Sequence, residues 1–209
     1  VRTAADGDVE VLLADSAQLR ELTGFRFHRG CLGLGERPTA TIVPTLVPNA
    51  RQPVVALDTV SDPDNVGSIF RSAAAFDAAG VILSPTCADP LYRKAIRTSM
   101  GTTLQLPFAV KTEWLTTLAQ FRNGRTRVVA LTPDASAMDL ETFVRFGDAR
   151  PLVLLFGSEG DGVSRDALAY CDERVRIVIN DSVDSLNVAT AAAIVLQRVR
   201  ATRSDSAVS

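Results

Sequence analysis

The sequence predicts an α/β protein in which a mostly parallel sheet carries helices on both faces. Short apolar runs such as VVALD and LVLLF recur along the chain, and segments with a helical spacing of apolar residues separate them. Strands that are buried on both faces of a parallel sheet have this continuous apolar character, and helices connect them. The chain has 209 residues, which is enough for one sizeable core.

Two segments precede the predicted sheet. Residues 1–36 contain a strand-like run VEVLLA, a helix SAQLRELT opened by Asp15 or Ser16, and a second strand-like run FRFHRGCLGL. That is too little for an independent domain, and we interpret it as the remainder of one. Residues 37–52 are predicted to be a linker, because the segment from Gly35 to Pro53 contains four prolines, the last of which is Pro53.

The predicted α/β domain spans residues 53–201. Its strands are expected at 54–58, 80–84, 104–108, 127–132, 152–156 and 174–179, and its helices at 66–76, 90–99, 112–122, 164–170 and 186–201. The polar residues 202–209 are predicted to be a disordered tail. Ligands of such sheets bind beyond the carboxyl ends of the strands, so the loops there are the expected functional sites.

The composition excludes several classes of function. The net charge is −2, so any contact with nucleic acid must come from a local basic patch. A single histidine, His28, leaves little for a Ser-His pair or a histidine-rich metal cluster, and no metal is expected. Three scattered cysteines argue against a disulfide framework and favour a reduced, cytoplasmic setting. The sequence shows neither a membrane span nor a signal peptide.

Three polar loops follow predicted strands. In the first, Asn65 stands where a helix N-cap belongs, and Arg71 falls on the helical projection opposite Val66, Ile69 and Phe70. An arginine so placed points away from the core, near a helix end that can host an anion. The alternative is that Asn65 is only a cap and Arg71 only a surface charge.

The second and third loops are FGSEGDG and DSLNVATA. In the second loop, three glycines leave backbone N–H groups open to a flat ligand, and Glu159 is the one residue with a long acidic side chain. The alternative is that this loop is only a tight turn. In the third, Asp184 or Ser185 can cap the following helix, which leaves Asn187 as a surplus polar side chain. Redundant capping is the alternative there.

Taken together and in this order, NVGSIFR, FGSEGDG and SLNVATA resemble the three motifs of the SpoU/TrmH family of RNA ribose 2'-O-methyltransferases, in the SPOUT superfamily. The resemblance covers roughly residues 52–200, and DPLYRKAIRTSMGTTLQLPF is also similar to family members. One departure occurs before the third motif. Many members have Ile-Pro-Met there, followed two residues later by Gly, whereas this chain has Ile177-Val178-Ile179 and then Asp181.

The resemblance implies a reaction centre, a methyl donor and a fold. The implied reaction centre comprises Asn65, Arg71, Glu159, Ser185 and Asn187. The implied cofactor is S-adenosylmethionine, held near Thr132, Gly157, Ile177 and Leu186, with Ile179 as a neighbour. A trefoil knot over about 150–200, a homodimer through the terminal helix, and a partial α/β RNA-binding domain at the amino end are also implied.

Under this resemblance Arg71 is expected to act as an electrostatic clamp, because a guanidinium is a poor base. A direct base role after local deprotonation is the alternative. The RNA is expected to be ribosomal RNA first and transfer RNA second. Candidate RNA contacts are Arg26, Arg29, Arg93, Lys94 and Arg97, although a solvated helix face explains the last three equally well. Two other hypotheses are a non-catalytic RNA-binding protein with the SPOUT fold and a nucleotide-dependent oxidoreductase, which lacks its glycine fingerprint here.

Overall fold

The computed structural model describes residues 12–24, 32–37, 46, 48–49, 51–146, 150–180 and 182–205. Its helices are α1 (Ser16–Thr23), α2 (Pro63–Ala75), α3 (Arg93–Thr98), α4 (Trp114–Asn123), α5 (Leu140–Phe146), α6 (Arg165–Leu168) and α7 (Val188–Asp205). Its strands are β1 (Val54–Leu57), β2 (Gly80–Leu83), β3 (Phe108–Val110), β4 (Arg127–Leu131), β5 (Met138–Asp139), β6 (Leu152–Phe156) and β7 (Glu173–Arg176).

The strands form one sheet in the order β3-β2-β1-β6-β4-β7-β5, and neighbouring strands pair in parallel. Side chains of α2, α5 and α7 pack on one face, and side chains of α4 and α6 pack on the other. The predicted α/β class with a parallel sheet is therefore confirmed. The trefoil knot stays a prediction.

The chain divides into two compact units, Val1–Ala40 and Thr41–Ser209. In the first unit, α1 begins where expected, since the Asp15 side chain accepts the N–H groups of Ala17 and Gln18. The strand-like runs of this unit lie mostly outside the described residues, and residues 12–14 and 32–34 are not strands. In the second unit Leu46 is buried against the sheet, so the predicted linker 37–52 includes a residue of the α/β core.

Several predicted boundaries are wrong for local reasons. The expected strand 104–108 is instead a 3₁₀ helix, Thr102–Leu104, followed by a strand that starts at Phe108. Short hydroxyl side chains favour a turn there, and the Thr102 hydroxyl donates to the carbonyl of Ser99 at 3.0 Å. The last helix continues to Asp205, so the predicted start of the tail at residue 202 falls inside it.

The segment Met138–Phe146 was not predicted as regular structure, yet it forms β5 and α5. Leu140, Phe143 and Val144 are buried on one side of the helix. Asp139 opens this helix by accepting the N–H group of Thr142 at 2.9 Å. An acidic cap followed by apolar residues with helical spacing was the signal available in the sequence.

A close contact joins α2 to α3. A Cβ atom at Gly67 would lie 2.5 Å from the carbonyl oxygen of Ala95, so only glycine allows this approach. The glycine of NVGSIFR therefore fixes the distance between the two helices. Within the described part of the chain, no helix is both long enough and apolar enough to cross a membrane.

Candidate functional site

A cleft of about 300 Å³ opens at the carboxyl ends of three adjacent strands, β4, β6 and β7. This is the end of a parallel sheet at which ligands bind. The cleft is lined by the five residues expected to hold a methyl donor, which are Thr132, Gly157, Ile177, Ile179 and Leu186. Sequence positions more than fifty residues apart thus meet in one small-molecule-sized space.

The floor of the cleft depends on a tight loop after β6. Ser158 and Gly162 exchange two backbone hydrogen bonds, of 3.0 and 3.1 Å, and Gly162 has a φ of +68°. The loop folds back so closely that a Cβ atom on Gly157 would lie 2.0 Å from the carbonyl carbon of Gly162. Glycine is thus required at both positions, and the loop holds Glu159 at the cleft.

Asp58, at the end of β1, holds the far side of this loop, and sequence reasoning did not single it out. Its side chain is 2% exposed, and its Oδ2 accepts the N–H group of Ser164 at 2.8 Å. Its own N–H group donates to the carbonyl of Phe156 at 2.8 Å. The available signal was a carboxylate at the end of a fully apolar strand, where an uncompensated charge is costly.

Asn187 is the N-cap of α7, which corrects the expectation that Asp184 or Ser185 would cap it. The helix begins at Val188, and the Oδ1 of Asn187 accepts the N–H groups of Ala189 at 2.9 Å and Thr190 at 3.2 Å. The side chain is not surplus. Its oxygen caps the helix, and its amide nitrogen remains available as a donor.

That amide nitrogen joins two other members of the expected reaction centre. The Nδ2 of Asn187 donates to the Oδ1 of Asn65 at 2.9 Å and to the carboxylate of Glu159. Asn65 is 7% exposed and lies in the first turn of α2, whose N-cap is Asp62 rather than Asn65 as expected. Three loops that are distant in sequence are therefore bound to one carboxamide. We call Asn65, Glu159 and Asn187 the polar triad.

The other two residues of the expected reaction centre, Ser185 and Arg71, lie in different places. Ser185 is exposed and lines the cleft beside Glu159. Arg71 is exposed on α2, as predicted, but it lies six residues beyond Asn65, which is about 240° around the helix axis. Its side chain therefore leaves α2 on a different face from that of Asn65, and it takes no part in the bonds of the polar triad.

The cations expected to contact RNA lie on α3 where they can be described. Arg93, Lys94 and Arg97 are exposed there, whereas Arg26 and Arg29 lie outside the described residues. The Nζ of Lys94 lies 2.8 Å from a carboxylate oxygen of Asp64. This contact lowers the pKa of Asp64 and raises that of Lys94, so Lys94 serves the α2–α3 contact as well.

The chain forms an α/β domain with a cleft at the carboxyl ends of its strands, beside the polar triad. The chain belongs to the SpoU rRNA Methylase family, whose model matches residues 52–197. It is 39% identical over 181 residues to an uncharacterized tRNA/rRNA methyltransferase of Mycobacterium bovis, covering 87% of this chain and 62% of that one.

Solved structures show the same likeness. The SpoU methyltransferase AviRb from Streptomyces viridochromogenes, in complex with AdoMet, is 29% identical with a TM-score of 0.65, over 79% of this chain and 64% of that one. An AdoMet-bound rRNA methyltransferase from Sinorhizobium meliloti is 33% identical with a TM-score of 0.66, over 74% of this chain and 58% of that one. The chain thus spans less than two thirds of the length of these relatives.

Substitutions of Asn187 should test its role as the N-cap of α7. Asn187→Ser keeps an oxygen that can cap α7, whereas Asn187→Ala removes it, and both remove the amide donor. We expect the free energy of unfolding of the alanine variant, measured by urea denaturation, to be about 1 kcal/mol lower than that of the serine variant. Thr190→Ala, an exposed change on the same helix, is the control. Equal stability of the serine and alanine variants would contradict the capping role.

Proposed function

We propose that this chain transfers a methyl group from S-adenosylmethionine to a ribose 2'-hydroxyl of RNA, with ribosomal RNA as the first candidate and transfer RNA as the second. The observation that carries the proposal is the polar triad at the edge of the cleft, which brings the three motif loops into hydrogen-bond contact. The AdoMet complexes of related methyltransferases support the choice of donor.

The cleft fits such a donor. Its lining is mainly apolar, with contributions from Leu131, Val175 and Leu186, and the tight turn at Gly157 brings backbone near the ligand space. An adenosyl group needs this combination of apolar surface and a few backbone hydrogen bonds. The departure at 177–179 leaves both Ile177 and Ile179 on the cleft, so apolar surface is retained there. When bound, the donor supplies an electrophilic methyl group.

The chain's own residues would then bind and orient the ribose. Ser185 and Glu159 both line the cleft, and their oxygen atoms are acceptors that the site offers to a ribose hydroxyl. Asn187 fixes the carboxylate of Glu159, so this acceptor does not have to be reorganised during the reaction. Arg71 would bind an RNA phosphate and stabilise the oxyanion that develops as the hydroxyl passes its proton to the carboxylate of Glu159. The bond from the methyl group to the donor sulfur would break as the bond to the ribose oxygen forms.

Donor binding and product mapping test the proposal together. Calorimetry should show binding of S-adenosylmethionine and none of NAD. RNA from cells with and without the gene should then differ by one or more ribose 2'-O-methyl groups, detected by mass spectrometry of nucleosides. Donor and RNA binding without any methylated product would favour the non-catalytic alternative. Methylation of a base would retain the transferase and refute the ribose as acceptor.

Replacement of Arg71 should separate catalysis from folding. Because its side chain is exposed and outside the cleft, Arg71→Ala should leave the melting temperature and donor affinity nearly unchanged. Transfer of a tritiated methyl group to the cognate RNA should fall by about 100-fold or more. Arg71→Lys should restore it only in part, since an ammonium lacks the planar two-pronged contact. Near-normal transfer by the alanine variant would refute the clamp.

A homodimer is part of the proposal, but the small-residue face of the terminal helix does not provide its interface. Ala192, Val195 and Val199 are buried within one copy, in the face of α7 that packs with α2. The support now comes from the separation of Arg71 from the polar triad, since an arginine of a second copy could complete the site.

Subunit mixing tests this arrangement. Arg71→Ala and Asn187→Ser proteins should each be nearly inactive, whereas co-unfolded and refolded mixtures should regain about one quarter of wild-type transfer if Arg71 acts across a twofold interface. The estimate follows because half of the dimers are mixed and each mixed dimer has one intact site. If Arg71 acts within its own copy, mixing regains nothing. Light scattering of each sample serves as the control for assembly.

A further inference from the structure

Tyr92 is an exposed aromatic residue with a fixed backbone and no role in the core. Its side chain is 57% exposed. Its N–H group donates to the carbonyl of Asp89 at 3.0 Å, and its own carbonyl accepts the N–H group of Ile96 at 3.0 Å. Tyr92 occupies the N-cap of α3 without making a side-chain cap bond. Burial and capping therefore do not explain a tyrosine at this position.

Three exposed cations, Arg93, Lys94 and Arg97, follow Tyr92 on α3. Arg93 and Arg97 are four positions apart, so they share one side of the helix, and both are exposed. Lys94 lies between them and contacts Asp64. An exposed aromatic ring beside arginines is the combination with which proteins bind single-stranded nucleic acid, where bases stack on rings and phosphates meet the cations.

The position of α3 connects this surface to the candidate reaction centre. Gly67 sets the close approach of α2 to α3, and Lys94 bonds to the carboxylate that precedes Asn65 in the first turn of α2. The hydroxyl of Thr98 adds a second bond to Asp64, at 2.8 Å. Tyr92 directly precedes α3, and α3 packs against α2, the helix that carries Asn65 and Arg71.

We propose that Tyr92 is a stacking platform for an unpaired base of the RNA substrate near the methylated nucleotide, and that Arg97 binds a phosphate of the same RNA. This inference rests on the proposed RNA methyltransferase function and adds a requirement for single-stranded RNA at the site. The rigid backbone of Tyr92 reduces the entropy lost when a base stacks on its ring. The ring also supplies affinity that does not depend on charge, which matters in a chain of net charge −2.

The test compares affinity and its dependence on salt. Using a short fluorescein-labelled single-stranded RNA, we expect Tyr92→Ala to weaken binding by roughly 5- to 150-fold, with an unchanged slope of log K against log salt. Tyr92→Phe should bind nearly as well as wild type, because it keeps the ring. Arg97→Ala should reduce the slope by about 1. Phe146→Ala, which removes an exposed ring on α5, is the matched control and should have no effect.

The outcomes distinguish this inference from the proposed function. If wild type methylates cellular RNA but Tyr92→Ala binds the probe and transfers methyl groups as wild type does, the platform is refuted and the methyltransferase stands. If wild type methylates RNA but does not bind the single-stranded probe, the platform is also refuted. If wild type neither binds nor methylates RNA, both proposals fail. A change in oligomeric state of Tyr92→Ala by light scattering, with unchanged RNA affinity, would assign the ring to a protein interface.

Discussion

The two ends of the Asn187 carboxamide are used by different parts of the molecule. The oxygen accepts the N–H groups that open α7, and the nitrogen donates to Asn65 on α2 and to Glu159 in the loop after β6. An aspartate cannot do both, because an ionised carboxylate only accepts hydrogen bonds, and a serine has a single donor hydrogen for the two acceptors. The arrangement of the candidate site therefore depends on a side chain that is acceptor and donor at once.

The geometry around this carboxamide is fixed from several directions. Asp58 binds the backbone of Ser164, and the close contact of Gly157 with Gly162 closes the loop that carries Glu159. On the other side, α7 is fixed by burial of Ala192, Val195 and Leu196. Because the supports are backbone contacts and a packed core, the polar triad is organised before any ligand binds, as electrostatic stabilisation requires.

The sequence predicted most of this fold, because apolar runs and glycines reflect the local structure of strands and turns. It predicted strands that are buried on both faces, and the residues that the family resemblance implied for the donor line one cleft. It misplaced the two N-caps, since Asp62 and Asn187 compete with neighbouring polar residues that satisfy the same rule. It also missed Asp58 and the α5 segment, whose roles depend on contacts with residues far along the chain.

The separation of Arg71 from Asn65 could not be deduced from the spacing of the core residues alone. A helical projection places it away from Val66 and Phe70, which the structure confirms, but that projection does not show how far it lies from Asn65. The side chain of Asn65 points toward α7, where it accepts the hydrogen bond from Asn187. Arg71 lies on the exposed face of α2, where a cation can bind phosphate without the cost of burial. On α3, Lys94 and Arg97 are both exposed, and Lys94 also contacts Asp64 of α2. Arg71 and Arg97 therefore remain accessible to a polyanion.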